Sequence, residues 1–281
     1  MEKIKIFTDS SCDFDLEYLN ELDVEMVSLT SHFDDESYKD RIDISPCSFY
    51  DKLDTYKGAP KTSQVSPAAF MEAYKPWIEK DYRIISINLS SKLSGTYQSA
   101  CLAKETLDTD KIEVIDSKGA SVGMGLIVRE AALMVKANKS YEEIMERILY
   151  MRDRMEYVFA VGSLEMLKRG GRLSGGQALV GTLLNIKPIL QFEDGQIVPY
   201  EKVRGHKAII KTLPDTLRER GHDIQNQTIG FCYSRDMEIC NKLKEEIENE
   251  YGVKEFVMSE IGAVIGSHVG AGTSAVFFMR K

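Results

Sequence analysis

The sequence contains no stretch of the form G-x-x-x-x-G-K-[ST], the loop whose amides and lysine cradle nucleotide phosphates. Gly58 leads to Pro60 and Lys61 without a glycine directly before the lysine, and no Lys-Ser or Lys-Thr follows Gly170-Gly171-Arg172. An apolar strand ending in Asp-Glu to hold magnesium is missing too. These absences decide how Leu173 to Gln177 is read. They spell LSGGQ, the loop that ATP-binding-cassette ATPases press against a γ-phosphate, and without a phosphate cradle the pentapeptide carries no ATPase reading.

Cysteine is sparse and unpaired. Cys12, Cys47, Cys101, Cys232 and Cys240 are odd in number and scattered, with no C-x-x-C pair and no nearby histidine, which argues against both a zinc site and a disulfide framework. Most are expected to be small buried apolar groups. No run of about eighteen apolar residues occurs, and MEKIKIFTDSS has too short an apolar run for a signal peptide, so a cytoplasmic protein without stable membrane insertion is expected. With 36 basic against 44 acidic side chains the net charge is −8, the wrong sign for a chain whose main partner is nucleic acid.

What is present is the composition of a folded protein, 43% hydrophobic and 28% charged, over 281 residues, a length that suits two packed domains. The first half alternates β-rich runs (KIKIF, VEMVSL, RIISINL, KIEVID) with helical ones (DLEYLNEL, PAAFMEAYKPWIEK, GTYQSACLAKETL), predicting a parallel sheet with helices on both faces. A glycine-punctuated helix, GMGLIVREAALMVKAN, and another opened by a Ser140/Glu143 capping box close that half. After Met155, YVFAVGS precedes a short helix stopped at Gly170-Gly171, and ILQFEDGQIVPYEKV reads as a hairpin turning at Asp194-Gly195. TIGFCYS, DMEICNKLKEEIENEYG, KEFVMSE and SAVFFM supply further strands and a packing helix. The expectation is an α/β chain with a parallel-sheet domain over 1–155 and a second α/β domain, with a mixed or antiparallel sheet, over 156–281.

In open α/β sheets ligands sit beyond the carboxyl ends of the strands. Here those loops are rich in hydroxyls: Thr8-Asp9-Ser10-Ser11, SSKLSGTYQS and Asp116-Ser117, with Thr62, Ser63 and Ser66 in the connector PKTSQVSP. That concentration suits an anion or a polar head group, although serine and threonine also cap helices and shape turns, the simpler reading for Asp9, Ser10, Ser11 and Asp116. Ser94 stands out because Gly95-Thr96 follows it at the start of an amphipathic helix, where free amides and the dipole favour negative charge. GAVIGSHVGAG surrounds His268 with glycines that let backbone approach a ligand. Such a histidine can donate to a carboxylate or act as a base. On residue types alone a serine hydrolase stays open, with Ser94 as nucleophile, His268 as base and Asp9 or Asp116 as orienter, though Ser94 is not in a G-x-S-x-G turn.

Seven segments, in order along essentially the whole chain, resemble the DegV family of bacterial fatty-acid-binding proteins: TDSSCD, KTSQVSP, SSKLSGTYQSA, LKRGGRLS, LLNIKPIL, KVRGHKA and IGSHVGAG. Val65 and Ala271 stand where the family often has proline, which loosens each turn slightly without removing a ligand-binding group. The resemblance implies a parallel-sheet domain, a C-terminal α/β domain and one fatty acid buried between and within them, with no other cofactor and no metal. By similarity Thr62 and Ser94 hydrogen-bond the carboxylate with His268 nearby, and Ser63, Gly95 and Thr96 belong to the same segments. LSGGQ then continues the family's GGR-[IL]-S segment, with a new helix expected near Gly176. AVGSLEML, QALVGTLLNI and AVIG are candidate tunnel walls. The resemblance further implies a carrier without catalysis of its own, presenting its fatty acid to a separate ATP-dependent kinase that makes acyl phosphate for phospholipid synthesis. Arg169, Arg172, Lys202 and Arg204 are the basic loop residues suited to docking the kinase or neutralising the product.

Overall fold

The computed structural model describes residues 2–174 and 186–281 of the chain. Four parallel strands, β1 (Lys3–Asp9), β2 (Val24–Val27), β6 (Tyr82–Asn88) and β7 (Ile112–Asp116), form a sheet in the order β2-β1-β6-β7, and α1 (Leu16–Glu21) links the first two. β1 from Ile4 to Asp9 and β6 from Ile84 to Asn88 are buried residue after residue because both faces of the sheet are covered. Alternate side chains serve the two faces. Phe7, Ile84 and Ile112 pack against Phe70 and Tyr74 of α3 (Pro67–Glu79) and Ala100 and Ala103 of α4 (Thr96–Thr106). Ile4, Ile6, Ile85 and Ile87 face α5 (Ser121–Lys136). α3 starts where Ser66 Oγ accepts from Ala69 N at 3.2 Å, one residue ahead of Pro67. The capping box of Ser140 and Glu143 opens α6 (Tyr141–Arg154).

The second sheet is mixed and six-stranded. Its order is β10 (Gln196–Arg204), β9 (Ile186–Glu193), β8 (Met155–Ala160), β13 (Ser274–Met279), β11 (Ile229–Tyr233) and β12 (Phe256–Glu260), with β11 and β12 parallel and the other pairs antiparallel. The last strand in sequence therefore lies inside the sheet. β9 and β10 turn at Asp194 and Gly195, which take φ of 44° and 83°, the left-handed pair that a two-residue hairpin loop requires. One face of this sheet packs on α8 (His206–Arg220) and α9 (Glu238–Tyr251) through Val158, Leu213, Leu243, Val276 and Phe278. The other face turns Tyr157, Phe159 and Phe277 toward α5, in the same core as Ile6 and Ile85 of the first sheet.

α5 is thus sandwiched between the two sheets, which explains a run of eight buried residues from Ser121 to Val128 in place of one apolar stripe. The hairpin tip also reaches the first half: Ser90 Oγ donates to Gly195 O at 2.8 Å, and Lys118 pairs with Asp194 at 3.0 Å.

A third, smaller sheet departs from the sequence expectation. β3 (Thr30–Phe33) pairs antiparallel with both β4 (Glu36–Lys39) and β5 (Lys61–Ser63), so the head of PKTSQVSP is an edge strand and not a free connector. α2 (Pro46–Thr55) lies between β4 and β5 in the chain. The strands of this sheet are only three or four residues long and mostly polar, so no apolar alternation marks them in the sequence. Among the described residues no helix is long and apolar enough to cross a membrane.

Candidate functional site

A cavity opens between the parallel sheet and the inner face of the second sheet. The centres of water-sized spheres can occupy about 160 Å³ of it, more than ten times what one water needs by that measure, roughly 10–15 Å³. Phe159, Phe192, Ile197, Val264, Ala275 and Phe277 supply apolar wall, so most of the lining offers an occupant burial without hydrogen bonds.

Polar groups gather at one set of elements. Thr62 comes from β5, Ser94 and Gly95 from the loop ahead of α4, Arg172 from the segment after α7 (Glu165–Arg169), and His268 from α10 (Ala263–Val269). Thr62 Oγ1 and His268 Nε2 lie 2.8 Å apart although 206 residues separate them in sequence. Ser94 Oγ accepts from Thr96 N at 3.2 Å and sits 3.0 Å from Thr96 Oγ1, an ordinary helix-start turn that leaves the hydroxyl on the cavity lining. Arg172 is held by Leu93 O at 3.1 Å and by Gly170 O, two neutral carbonyls, so among the described residues its charge has no carboxylate partner and it lines the cavity as a cation.

His268 Nδ1 is buried without a partner among the described residues. Nδ1 faces the end of α7, where a Cβ on Gly170 would come within 2.4 Å of it, so glycine there lets the ring approach. An unsatisfied acceptor costs less than an unsatisfied buried N–H, so the favoured tautomer carries its proton on Nε2 and donates to Thr62 Oγ1. The Thr62 hydroxyl proton is then free to donate into the cavity. Burial, with the Arg172 charge adding to it, pushes His268 down to about 4.

This shift has a testable sign. The unfolded chain takes up a proton on this histidine below pH 6.5, the folded chain only near 4, so the stability held by neutral His268 is complete above 6.5 and is lost as pH falls through that window. The loss is expected to reach roughly 2–3 kcal/mol. In lipid-free protein, urea unfolding of wild type and His268→Asn should therefore converge or cross between pH 7 and pH 4.5. A wild-type imidazole that titrates above pH 6 in NMR would contradict the assignment.

The family model described as "uncharacterised protein, DegV family" matches residues 3–281. The chain belongs to the DegV family. A DegV domain-containing protein of Caldanaerobacter subterraneus is 38% identical over 281 residues, covering 100% of both chains. A DegV family protein from Thermus thermophilus, described as binding fatty acid, superposes with a TM-score of 0.91 at 32% identity, covering 99% of this chain and 100% of that one. DegV of Bacillus subtilis, described as a fatty acid binding protein, superposes with a TM-score of 0.89 at 32% identity, covering 100% of each chain.

Within this DegV fold the candidate residues separate. Thr62, Ser94, Gly95, Arg172 and His268 line one cavity. Ser63, the next residue on β5, points the other way and bonds His32 Nε2 at 2.7 Å, as strand alternation requires. Thr96 is fully buried and supports Ser94 without lining the cavity. Arg169 is tied to Glu165 on α7, while Lys202 and Arg204 line a separate surface groove between β10 and α8. Of the candidate walls, AVGSLEML contributes Leu167 and AVIG contributes Val264 and Ile265. QALVGTLLNI and the helix start expected near Gly176 lie outside the described residues, apart from Ile186 at the head of β9.

The serine-hydrolase arrangement is not formed. Asp9 accepts from Leu89 N at 2.8 Å and Ser11 N at 3.0 Å, Asp116 accepts from Lys118 N at 3.0 Å, and neither reaches His268. Ser94 bonds Thr96 instead of the imidazole. Among the described residues no three His, Cys, Asp or Glu side chains converge to hold a metal ion. Sequence reasoning passed over Gln64, which lines the cavity and donates to Ser99 Oγ at 2.9 Å, and the walls from Phe192, Ile197 and Cys232. Their one signal is the inward alternation of their strands, which marks core as readily as cavity.

Proposed function

We propose that the protein is a carrier that buries one long-chain fatty acid, with the carboxylate at Thr62, Ser94 and His268 and the tail along the apolar walls. The observation that carries this reading is an apolar cavity whose only cationic lining residue, among the described residues, is Arg172, set beside a threonine, a serine and a neutral histidine. The fatty acid binding described for the Thermus and Bacillus relatives supports the same ligand class. Burying a methylene stabilises by about 0.8 kcal/mol, so fifteen give roughly 12 kcal/mol before the costs of ordering and association. The tail then supplies most of the affinity. The head needs donors, because a buried carboxylate without them costs several kcal/mol. Thr62 donates directly, Ser94 offers a second hydroxyl, the amides at the start of α4 favour negative charge, and Arg172 balances it.

The carrier hands its fatty acid to a separate ATP-dependent kinase that forms acyl phosphate for phospholipid synthesis in the cytoplasm. The absence of a P-loop in the sequence fits a division of labour in which the partner supplies nucleotide and magnesium. Arg172 at the cavity, with Arg169 close by in sequence and Lys202 and Arg204 on the β10 groove, provides cationic surface for that exchange. Mass spectrometry of lipid extracted from the native protein should find one fatty acid per chain, and acyl phosphate should form only when kinase and ATP are both added. Ester turnover without a kinase, blocked by a serine-directed reagent, would replace this reading with a hydrolase. Thr62→Val and His268→Ala should each weaken palmitate binding about tenfold or more, the worth of one charge-assisted hydrogen bond.

A further inference from the structure

The histidine helix is gripped at its start by two buried carboxylates that belong to the first half of the chain. Asp40 Oδ1 accepts from Ala263 N at 2.8 Å and Oδ2 from Val264 N at 3.4 Å. Asp13 Oδ1 accepts from Gly262 N at 2.8 Å, while its Oδ2 accepts from Ser121 Oγ at 2.5 Å. Three consecutive amides at the head of α10 are thereby satisfied from outside the helix. The Arg41 guanidinium lies 3.6 Å from Asp13, donates to Glu260 O at 2.5 Å and pairs with Asp15, which balances part of the negative charge.

Gly262 fits between the two acids. Its φ of −73° is open to any residue, but a Cβ would lie 2.8 Å from Asp40 Oδ1 and 3.1 Å from Asp13 Oδ1. Space, and not backbone freedom, requires glycine there.

Asp40 stands directly after β4, and its own N–H donates to Leu29 O at 2.9 Å, just ahead of β3. Thr62 lies on β5, at the other flank of β3, opposite Ser31. Ser31 Oγ in turn sits 3.0 Å from Ser267 Oγ, next in sequence to His268. The small sheet therefore holds α10 at three points: Asp40 at its first residues, Ser31 near its end, and Thr62 on the imidazole itself. A helix of seven residues is about 10 Å long, so a tilt of its head moves the imidazole by a comparable fraction of an ångström to an ångström.

We propose that Asp40, with Asp13 and Arg41, is a positioning residue for the head-group pair, fixing where His268 Nε2 meets Thr62 and hence where the Thr62 hydroxyl points. The inference rests on the fatty-acid reading of the cavity. Asp40 touches no ligand; it acts through α10. Such carboxylates are costly to bury unless hydrogen-bonded, and the amides of α10 supply bonds to both, while Arg41 Nε is buried without a partner among the described residues.

The test uses lipid-free full-length protein, palmitate binding by calorimetry and the His268 imidazole signals in NMR. Asp40→Ala should weaken palmitate binding about tenfold and move the His268 resonances. Asp40→Asn keeps one oxygen for Ala263 N and should lose only about two- to threefold. In a Thr62→Val background Asp40→Ala should cost less than twofold, because the pair it aligns is already broken. A variant that loses thermal stability yet binds palmitate within twofold of wild type, with unmoved imidazole signals, overturns the proposal; so does full additivity with Thr62→Val. If Asp40→Ala fails to fold, Asp40→Asn and Gly262→Ala replace it in the same comparisons, and the same results support or overturn the proposal. Unchanged affinity in both Thr62→Val and His268→Ala would instead sink the head-group reading, and this inference with it.

Discussion

Ala275→Phe is expected to yield folded protein that purifies without fatty acid. Ala275 lies inside the second sheet, paired with Phe159 of β8 and Cys232 of β11, and its side chain faces the cavity. A phenyl ring placed there enters space that the empty protein leaves open, so the overpacking cost that follows enlargement in a filled core is largely avoided. The ring instead displaces tail. Each methylene denied burial costs about 0.8 kcal/mol, so excluding four costs roughly 3 kcal/mol, or more than a hundredfold in affinity. Two measurements separate loss of binding from loss of fold. Extracted lipid should fall to background, and thermal unfolding, which should drop in wild type on stripping, should become indifferent to stripping because a ligand stabilises only what it binds. Stoichiometric fatty acid in the variant would mean that the tail does not run along β13.

Much of this architecture can be read from the sequence because it rests on local rules. The alternation of β-rich runs such as KIKIF and RIISINL with helical ones implies a parallel sheet covered by helices on both faces, Asp194-Gly195 implies the hairpin, and Ser140 with Glu143 implies the start of α6. What escapes the sequence is long-range. Nothing in SAVFFM says that the last strand inserts between β8 and β11, since strand order is settled by pairing with segments far away in the chain, Tyr233 opposite Ser274 on one side and Ala160 opposite the same Ser274 on the other. The three-stranded sheet escapes for a different reason: TSHF, ESYK and KTS are too short and polar to carry a period, although that sheet presents Thr62 to His268. Ser94 and His268 stand out by their local setting, before Gly95-Thr96 and among glycines, whereas the proposal that they join Thr62 at one head group comes from family resemblance. Asp13 stands in TDSSCD, one of the resembling segments, but its partner amide lies some 250 residues away, and Asp40 has no local signal at all.

Gly123→Val should destabilise the protein by about 3 kcal/mol or more in urea unfolding, although the same change on an exposed helix would be favourable by a few tenths of a kcal/mol on propensity alone. The sign reverses because of what α5 touches. A Cβ at position 123 would lie 2.3 Å from Tyr157 Cε1 and 2.7 Å from Phe277 Cδ1, both on the inner face of the second sheet. Tyr157 has no easy retreat: it packs edge to face with Phe277 at 5.7 Å and lies tilted against Phe192 at 4.8 Å. The open space beside Phe277 is the cavity it lines. In lipid-free protein that ring can turn into the cavity and relieve part of the strain; with a fatty acid in place it cannot. The destabilisation measured with palmitate bound should therefore exceed that of the lipid-free protein, and palmitate affinity should fall by the difference. Equal losses in the two states would place the tail elsewhere than beside Phe277.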